Sequence, residues 1–299
     1  MFSRRHPFLY FLLVFTAMIS LTLVVISMLV FVGTRRTELK FGEKIGIVEV
    51  SGPIADPRET LEILKRFRED ESIKAIVLRV NSPGGAVGPS QEIYREIRKI
   101  AQLKKVVASL GAVAASGGYY IAAAAEGIVA SPGTLTGSIG VIMGYTNVRR
   151  LLDKIGLFPV VIKSGKFKDI GSPLREMTAE ERQILEDFAD QVHSQFIRAV
   201  AEGRSLTIDK VREVADGRIF SGQKARELGL VDRLGNLDDA VSWAAQLAGI
   251  QGSVETVREP QEKYPWLKYI TETAARQFAQ ALEEQRFYAG YLYRGPVSD

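Results

Sequence analysis

The run Ile73–Val80 (Ile-Lys-Ala-Ile-Val-Leu-Arg-Val) is apolar except for Lys74 and Arg79 near its ends. A strand with one wet face alternates polar and apolar residues; an unbroken apolar strand has both faces covered. This one stops sharply at Asn81-Ser82-Pro83-Gly84-Gly85, a sequence that breaks regular structure. The same unit recurs along the chain. Strands are expected at Ile45–Val50, Val106–Leu110, Gly127–Ala130 and Val160–Ile162. Between them lie helical spacings at Arg58–Glu69, where Leu61, Leu64 and Phe67 share a stripe, and at Pro89–Leu103, with Ile93, Ile97 and Ile100 inward. Ser116–Ala125 reads as a small-residue helix entered through the linker Gly111–Ala115, and Val148–Ile155 as another helix. Thr178-Ala179-Glu180-Glu181 is a capping-box start for a long helix to about Glu202, followed by helices at Ser221–Leu228 and Leu237–Ala248. Repeated strand-helix-strand predicts an α/β fold with a mostly parallel sheet and helices on its faces.

The N-terminus sets a second constraint. Phe8–Val32 carries no charge over 25 residues. At ~1.5 Å per helical residue this crosses a hydrocarbon core of ~30 Å. The run is long for a secretory signal core, and Phe31-Val32-Gly33-Thr34 is a poor cleavage site, so it reads as an uncleaved transmembrane anchor. Arg4 and Arg5 on one side nearly balance Arg35 and Arg36 on the other. The short N-terminal segment 1–7 is the better guide and stays inside, which puts the body outside the cytoplasm, at a cell (inner) membrane. Residues 33–44 read as a polar stalk, 45–252 as the main α/β domain, and 253–299 as a tail. The tail, from about Glu262 to Tyr293, is helical in composition and rich in aromatics that suit docking on the body, a membrane interface or a neighbouring subunit. Net charge is +4 with no basic stripe, which argues against nucleic acid. Cysteine is absent, so disulfides and thiolate metal sites are excluded. No cofactor or metal is expected.

Chemistry concentrates at Ala114-Ala115-Ser116-Gly117-Gly118-Tyr119-Tyr120 and at Lys163, Lys166 and Lys168. Ser116 opens a helix, where its hydroxyl meets the positive end of the helix dipole and the Gly117 amide is left without an intrahelical acceptor. The ordinary alternative is a plain N-cap serine. Only two histidines exist, His6 before the apolar span and His193 in a charged helical run. A serine nucleophile here therefore takes its base from a lysine rather than an imidazole. That lysine must be neutral near pH 7, a fall of about three units from ~10.4, or roughly 4 kcal/mol against the charged form. Spacing does not choose among the three. Pro83-Gly84-Gly85, at the C-terminal end of a buried strand, offers further exposed amides for an oxyanion. Ser138, in Thr134-Leu135-Thr136-Gly137-Ser138-Ile139-Gly140, is placed to orient an amine; ordinary turn chemistry is its alternative.

Taken in order, Val80–Gly85, Ala115–Tyr120, Leu135–Val141 and Lys163–Pro173 resemble the motifs of the bacterial signal peptide peptidase family, single-domain membrane-anchored Ser-Lys serine peptidases. Asp216-Gly217-Arg218 and Gly229-Leu230-Val231-Asp232 add to the likeness, which runs from about Ile45 to Leu237. The resemblance implies that Ser116 is the nucleophile, Lys168 the general base, Ser138 the hydroxyl that positions the lysine amine, and Gly85 and Gly117 the oxyanion donors. It implies a crotonase/Clp-protease-like fold of repeated ββα-type units. It also implies a homo-oligomer with sites shared between neighbouring subunits, and peptide substrates, the signal peptides left in the membrane after preprotein cleavage. Three other readings remain at this point. One is a Ser-Lys peptidase acting on a single partner beside stomatin-like membrane proteins. Another is a crotonase-like acyl-CoA enzyme. The third is a membrane scaffold without activity.

Overall fold

The computed structural model describes residues 15, 16, 18–25, 43–258 and, as backbone, 288–292. The chain divides into two units, residues 1–42 and 43–299. In the first, residues 15, 16 and 18–25 are helical. Most of the expected anchor 8–32 lies outside the described residues. Among those described, no helix is long and apolar enough to cross a membrane.

The second unit is α/β, as expected. Its sheet is built from β1 (Lys44–Ser51), β2 (Ile73–Ser82), β4 (Lys105–Ala115), β5 (Gly127–Ala130), β9 (Arg233–Leu234) and β10 (Glu255–Arg258) in the order β10-β1-β2-β4-β5-β9, every pair parallel. The periodicity of two sorts β2 onto two faces. Ala75 and Val77 join Ile45, Ile47, Val107 and Val129 beneath a helix we number α8 (Leu237–Ala248). Ile76, Leu78 and Val80 face the other way. There they meet α1 (Arg58–Glu69), α2 (Val87–Ile100), α3 (Gly117–Ala122) and α5 (Ala179–Arg204). The unbroken apolar reading of Ile73–Val80 thus has its cause in two covered faces.

Strand β4 is longer than expected. Gly111–Ala115, read as a linker, continues the strand, because β4 exchanges one neighbour for another along its length. Its first half pairs with β5, and its second half, Val113–Ala115, pairs with β6 (Leu135–Gly137). Strand β6 in turn holds β8 (Ile219–Ser221) antiparallel. Asn81 stabilises the crossover, its side-chain oxygen accepting from the Val113 amide at 3.2 Å. A small second sheet has the order β3-β11-β7, from β3 (Gly84–Ala86), β11 (Tyr288–Leu292) and β7 (Ile142–Gly144), all antiparallel.

Two expectations fail. Val160–Ile162 is not a strand: the segment is irregular, and Val160 and Ile162 are 86% and 96% exposed, so the apolar run has no sheet edge to join. Residues 288–292 are extended rather than helical, because β3 and β7 offer free edges on both sides. Other helices come close to the expected bounds, with α4 at Arg149–Lys154 and α7 at Gly222–Glu227. The short helix α6 (Ile208–Arg212) was not anticipated.

The long helix α5 starts at the capping box foreseen in the sequence, Thr178 and Glu181 each satisfying the other's backbone amide. It anchors the segment that follows Ser116. Phe196 is fully buried, its ring 4.9 Å from that of Tyr120, which lies 5.0 Å from Tyr94. Phe196→Ala is expected to lower the unfolding free energy by about 3–5 kcal/mol. Phe188→Ala, on the same helix but 45% exposed, is expected to change it by less than about 1 kcal/mol. Urea denaturation of the two variants checks this.

Candidate active site

Ser116 sits where β4 ends and α3 begins. Its backbone is at φ 54° and ψ −120°, a conformation rare outside glycine. The next crossing strand holds it there: the Ser116 amide donates to the Gly137 carbonyl at 2.9 Å, and the Ser116 carbonyl accepts from Tyr120 at 2.8 Å. Tyr119 is buried, and its hydroxyl donates to the Leu230 carbonyl at 2.8 Å. Ser116 is only 1% accessible. The Ala-rich helix behind it is buried, and the glycine strand β3 and the backbone of β11 approach in front.

Gly117 follows at the first helical position, so its amide lacks an intrahelical acceptor. A Cβ at Gly117 would lie 2.7 Å from Ser90 Oγ and 3.2 Å from both the Gly84 Cα and the Gly85 amide nitrogen. The two glycines named as oxyanion donors are therefore neighbours in space. Gly85 is pressed from the other side by Ile54, whose carbonyl a Cβ at Gly85 would overlap. The Ile54 amide donates to the Gly84 carbonyl, and the Ala86 amide donates to the Ile54 carbonyl, each at 2.8 Å. Ile54 escaped sequence reasoning, because a single residue bridging to β3 leaves no periodic trace. Ser90 also went unnoticed; fully buried, it donates to the Ala86 carbonyl at 2.9 Å.

Ser138 directly follows the carbonyl that holds Ser116. It too has a positive φ, 51°, and its amide donates to the Arg218 carbonyl at 2.8 Å. It is 8% exposed and lines a cleft of about 320 Å³ with Ile142, Asp190, His193 and Asp216. His193, discounted on sequence, thus shares the Ser138 cleft, with its Nε2 buried and lacking a hydrogen-bond partner among the described residues.

The lysines lie on the segment between α4 and α5, which is outside regular structure. Lys168 is exposed, and no hydrogen bond among the described residues joins it to Ser116 or Ser138. The geometry brings Ser116, Gly117, Gly85 and Ser138 together and leaves Lys168 outside the group. Its companions have carboxylate partners: Lys163 is paired with Asp169, and Lys166 with Glu180. Lys168 has no ion pair among the described residues.

Arg175, also missed on sequence, fixes this loop. It donates to both Asp169 oxygens at 2.8 and 2.9 Å, and to Glu181, the buried N3 residue that caps α5. Arg175 and Lys163 hold the Asp169 carboxyl well below the usual range, and Arg175 with the Thr178 amide brings Glu181 down from 4.5 to about 2. Both carboxylates are depressed on folding, so their contribution is complete above pH ~4.5 and is lost as pH falls toward about 2. The melting temperature of the protein is expected to drop over that window. In Arg175→Met the drop should be smaller; circular dichroism melts at stepped pH test this, and an unchanged pH dependence would refute the assignment.

Known proteins resemble this chain. The family described as peptidase family S49 matches residues 98–251, and the Clp protease family matches residues 46–134. A Synechocystis protein provisionally named a protease is 48% identical over 73% of this chain and 80% of its own. An Enterococcus faecium protein provisionally named the signal peptide peptidase SppA is 38% identical, over 67% of this chain and 62% of its own. The chloroplastic serine protease SPPA of Arabidopsis thaliana is 39% identical over 68% of this chain, which spans only 31% of that larger protein. A Clp protease match over the first strands agrees with the parallel sheet, and the S49 match spans Ser116, Ser138 and the lysine loop. The chain belongs to peptidase family S49 and is a serine protease.

Proposed function

We propose that this protease is a membrane-anchored endopeptidase that hydrolyses remnant signal peptides and similar apolar peptides through a Ser116–Lys168 dyad. The observation that carries the reading is the meeting of Ser116, at a strained strand-to-helix turn, with the Gly117 and Gly85 amides. Neutral Lys168 takes the Ser116 proton, and the alkoxide attacks the peptide carbonyl. The two amides stabilise the oxyanion, each contributing about 3 kcal/mol. Lys168 returns the proton to the leaving amine, and water then releases the acyl group. Ser138 orients the amine. Lys168 is favoured over its neighbours because a carboxylate partner favours the ammonium form, and Lys163 and Lys166 carry such partners.

Because Lys168 is exposed on its own chain, we place it in the site of an adjacent copy, within a homo-oligomer. In support, Ile155, Leu157, Phe158 and Val160 beside the lysine loop are more than half exposed, a patch of the kind subunit contacts cover. The anchor reading is supported by the bare apolar side chains of Met18, Leu21, Leu23 and Val24, each more than 60% exposed. With residues 1–7 inside, the catalytic domain lies outside the cytoplasm, where cleaved signal peptides are left in the bilayer. Apolar peptide is the substrate class, and a lipid bilayer is the partner of residues 8–32.

Ser116→Ala and Lys168→Ala are each expected to lower kcat/KM on a synthetic signal peptide by about 10⁴-fold or more, with the fold retained. Lys166→Ala should stay within about threefold of the parent, because its exposed ion pair is worth little. Product mass spectrometry with circular dichroism checks both. A fluorophosphonate probe should acylate the parent and not Ser116→Ala. Activity kept in Lys168→Ala and lost in Lys166→Ala would reassign the base.

A further inference from the structure

We propose that the turn Asp216-Gly217-Arg218 is a positioning element of the Ser116 site, closed by its own side chains so that its backbone holds Ser138 in place to meet the lysine amine. The inference rests on the reading of Ser138 as the hydroxyl that orients that amine, and it adds the residues that hold Ser138 itself. Ser138 has φ 51°, a conformation that is rare outside glycine and persists only where the surroundings impose it. Its hydroxyl is therefore placed only as well as the chain on either side of it is gripped.

The turn supplies that grip. Its Arg218 carbonyl accepts from the Ser138 amide at 2.8 Å, and its Gly217 amide donates to the Ile139 carbonyl at 3.2 Å. Strand β8, which the turn leads into, continues the pairing with Ile219 opposite Gly137. The approach is backbone to backbone. A Cβ at Gly137 would lie 3.2 Å from the Arg218 carbonyl oxygen, and one at Gly140 would lie 3.3 Å from the Gly217 Cα. A change in the shape of the turn therefore passes directly to residues 137–140.

A chelate sets the shape. Asp216 Oδ1 accepts from the Arg218 amide at 3.1 Å and from Arg218 Nε at 2.7 Å. Asp216 Oδ2 accepts from Nε at 2.8 Å and from a terminal guanidinium nitrogen. Gly217 lies between them at φ 86°, where a side chain would be strained. The two side chains are 59% and 46% exposed, and a surface pair of this kind adds little to stability. Its effect here is local: one carboxylate holds Arg218 by backbone and side chain at once, and the Arg218 carbonyl in turn holds Ser138. Arg218 brings the Asp216 carboxyl down to about 2, so the chelate stays closed at every pH where a lysine can serve as base.

The test is steady-state kinetics of the full chain in detergent on a synthetic signal peptide, with melting temperatures. Asp216→Asn, Arg218→Gln and Gly217→Ala are each made in the parent and in Ser138→Ala. In the parent each should lower kcat about tenfold or more, keep KM within about threefold and keep the melting temperature within about 4 °C. In Ser138→Ala no hydroxyl remains to be placed, so each should alter kcat less than about twofold further. Equal losses in the two backgrounds, the mark of a merely structural role, would overturn the inference. So would a loss in Asp216→Asn with parental kcat in Arg218→Gln, which would make Asp216 a charge acting directly in the cleft. Should the charge variants fail to fold, Gly217→Ala keeps both charges and decides, and parental kcat there would overturn the inference. Each of these results leaves the Ser138 reading standing while Ser138→Ala alone lowers kcat; parental kcat in Ser138→Ala would overturn both.

Discussion

The site depends on a contact between backbones that no side chain can enter. Ile54, Gly85 and Gly117 stack within van der Waals reach, and a Cβ at either glycine would collide with its neighbours. Exclusion of the Cβ brings two peptide amides to one point, which is the requirement for stabilising a developing oxyanion. The hydrogen bonds between Ile54 and β3 then fix the orientation of the Gly85 amide. Strand β3 serves as a structural edge for Ile54 on one side and pairs with β11 on the other.

Two strained serines flank that contact. Ser116 and Ser138 both have positive φ, at a cost of the order of 1–3 kcal/mol each. They are coupled, since the carbonyl that holds the Ser116 amide belongs to Gly137, and the Ser138 amide is held in turn by Arg218 on the approach to β8. Burial of α3 and the stack of Tyr94, Tyr120 and Phe196 secure the far side of the turn. The sheet thus holds both serine backbones in unfavourable conformations.

How far these arrangements could be read in the sequence follows from the range of the interactions. The capping box at Thr178–Glu181, the stripe of α1 and the covered strand β2 are local patterns and were legible. Glycine-rich surroundings singled out Ser116 and Gly85, and the fold brings Gly85 beside Gly117, the residue after Ser116. Gly111–Ala115 looked like a linker because its small residues carry little strand propensity; pairing with β6 overrides that preference. Val160–Ile162 shows the reverse, with strong propensity and no partner. Ile54, Arg175 and the C-terminal strand act through residues distant in sequence and gave no local signal.

The lysine loop shows how structure narrows what spacing leaves open. Three amines within six positions are equivalent on sequence. In the folded chain Asp169 engages Lys163 and Glu180 engages Lys166, while Arg175 ties Asp169 to the cap of the long helix. The carboxylates thereby anchor the loop through the flanking amines and leave the Lys168 side chain to project from it. The base role proposed for Lys168 rests on this division of labour: its neighbours are held by carboxylates, and a carboxylate beside the amine itself would favour the charged form. The loop's ion pairs thus engage the residues around Lys168 and leave its amine outside the network.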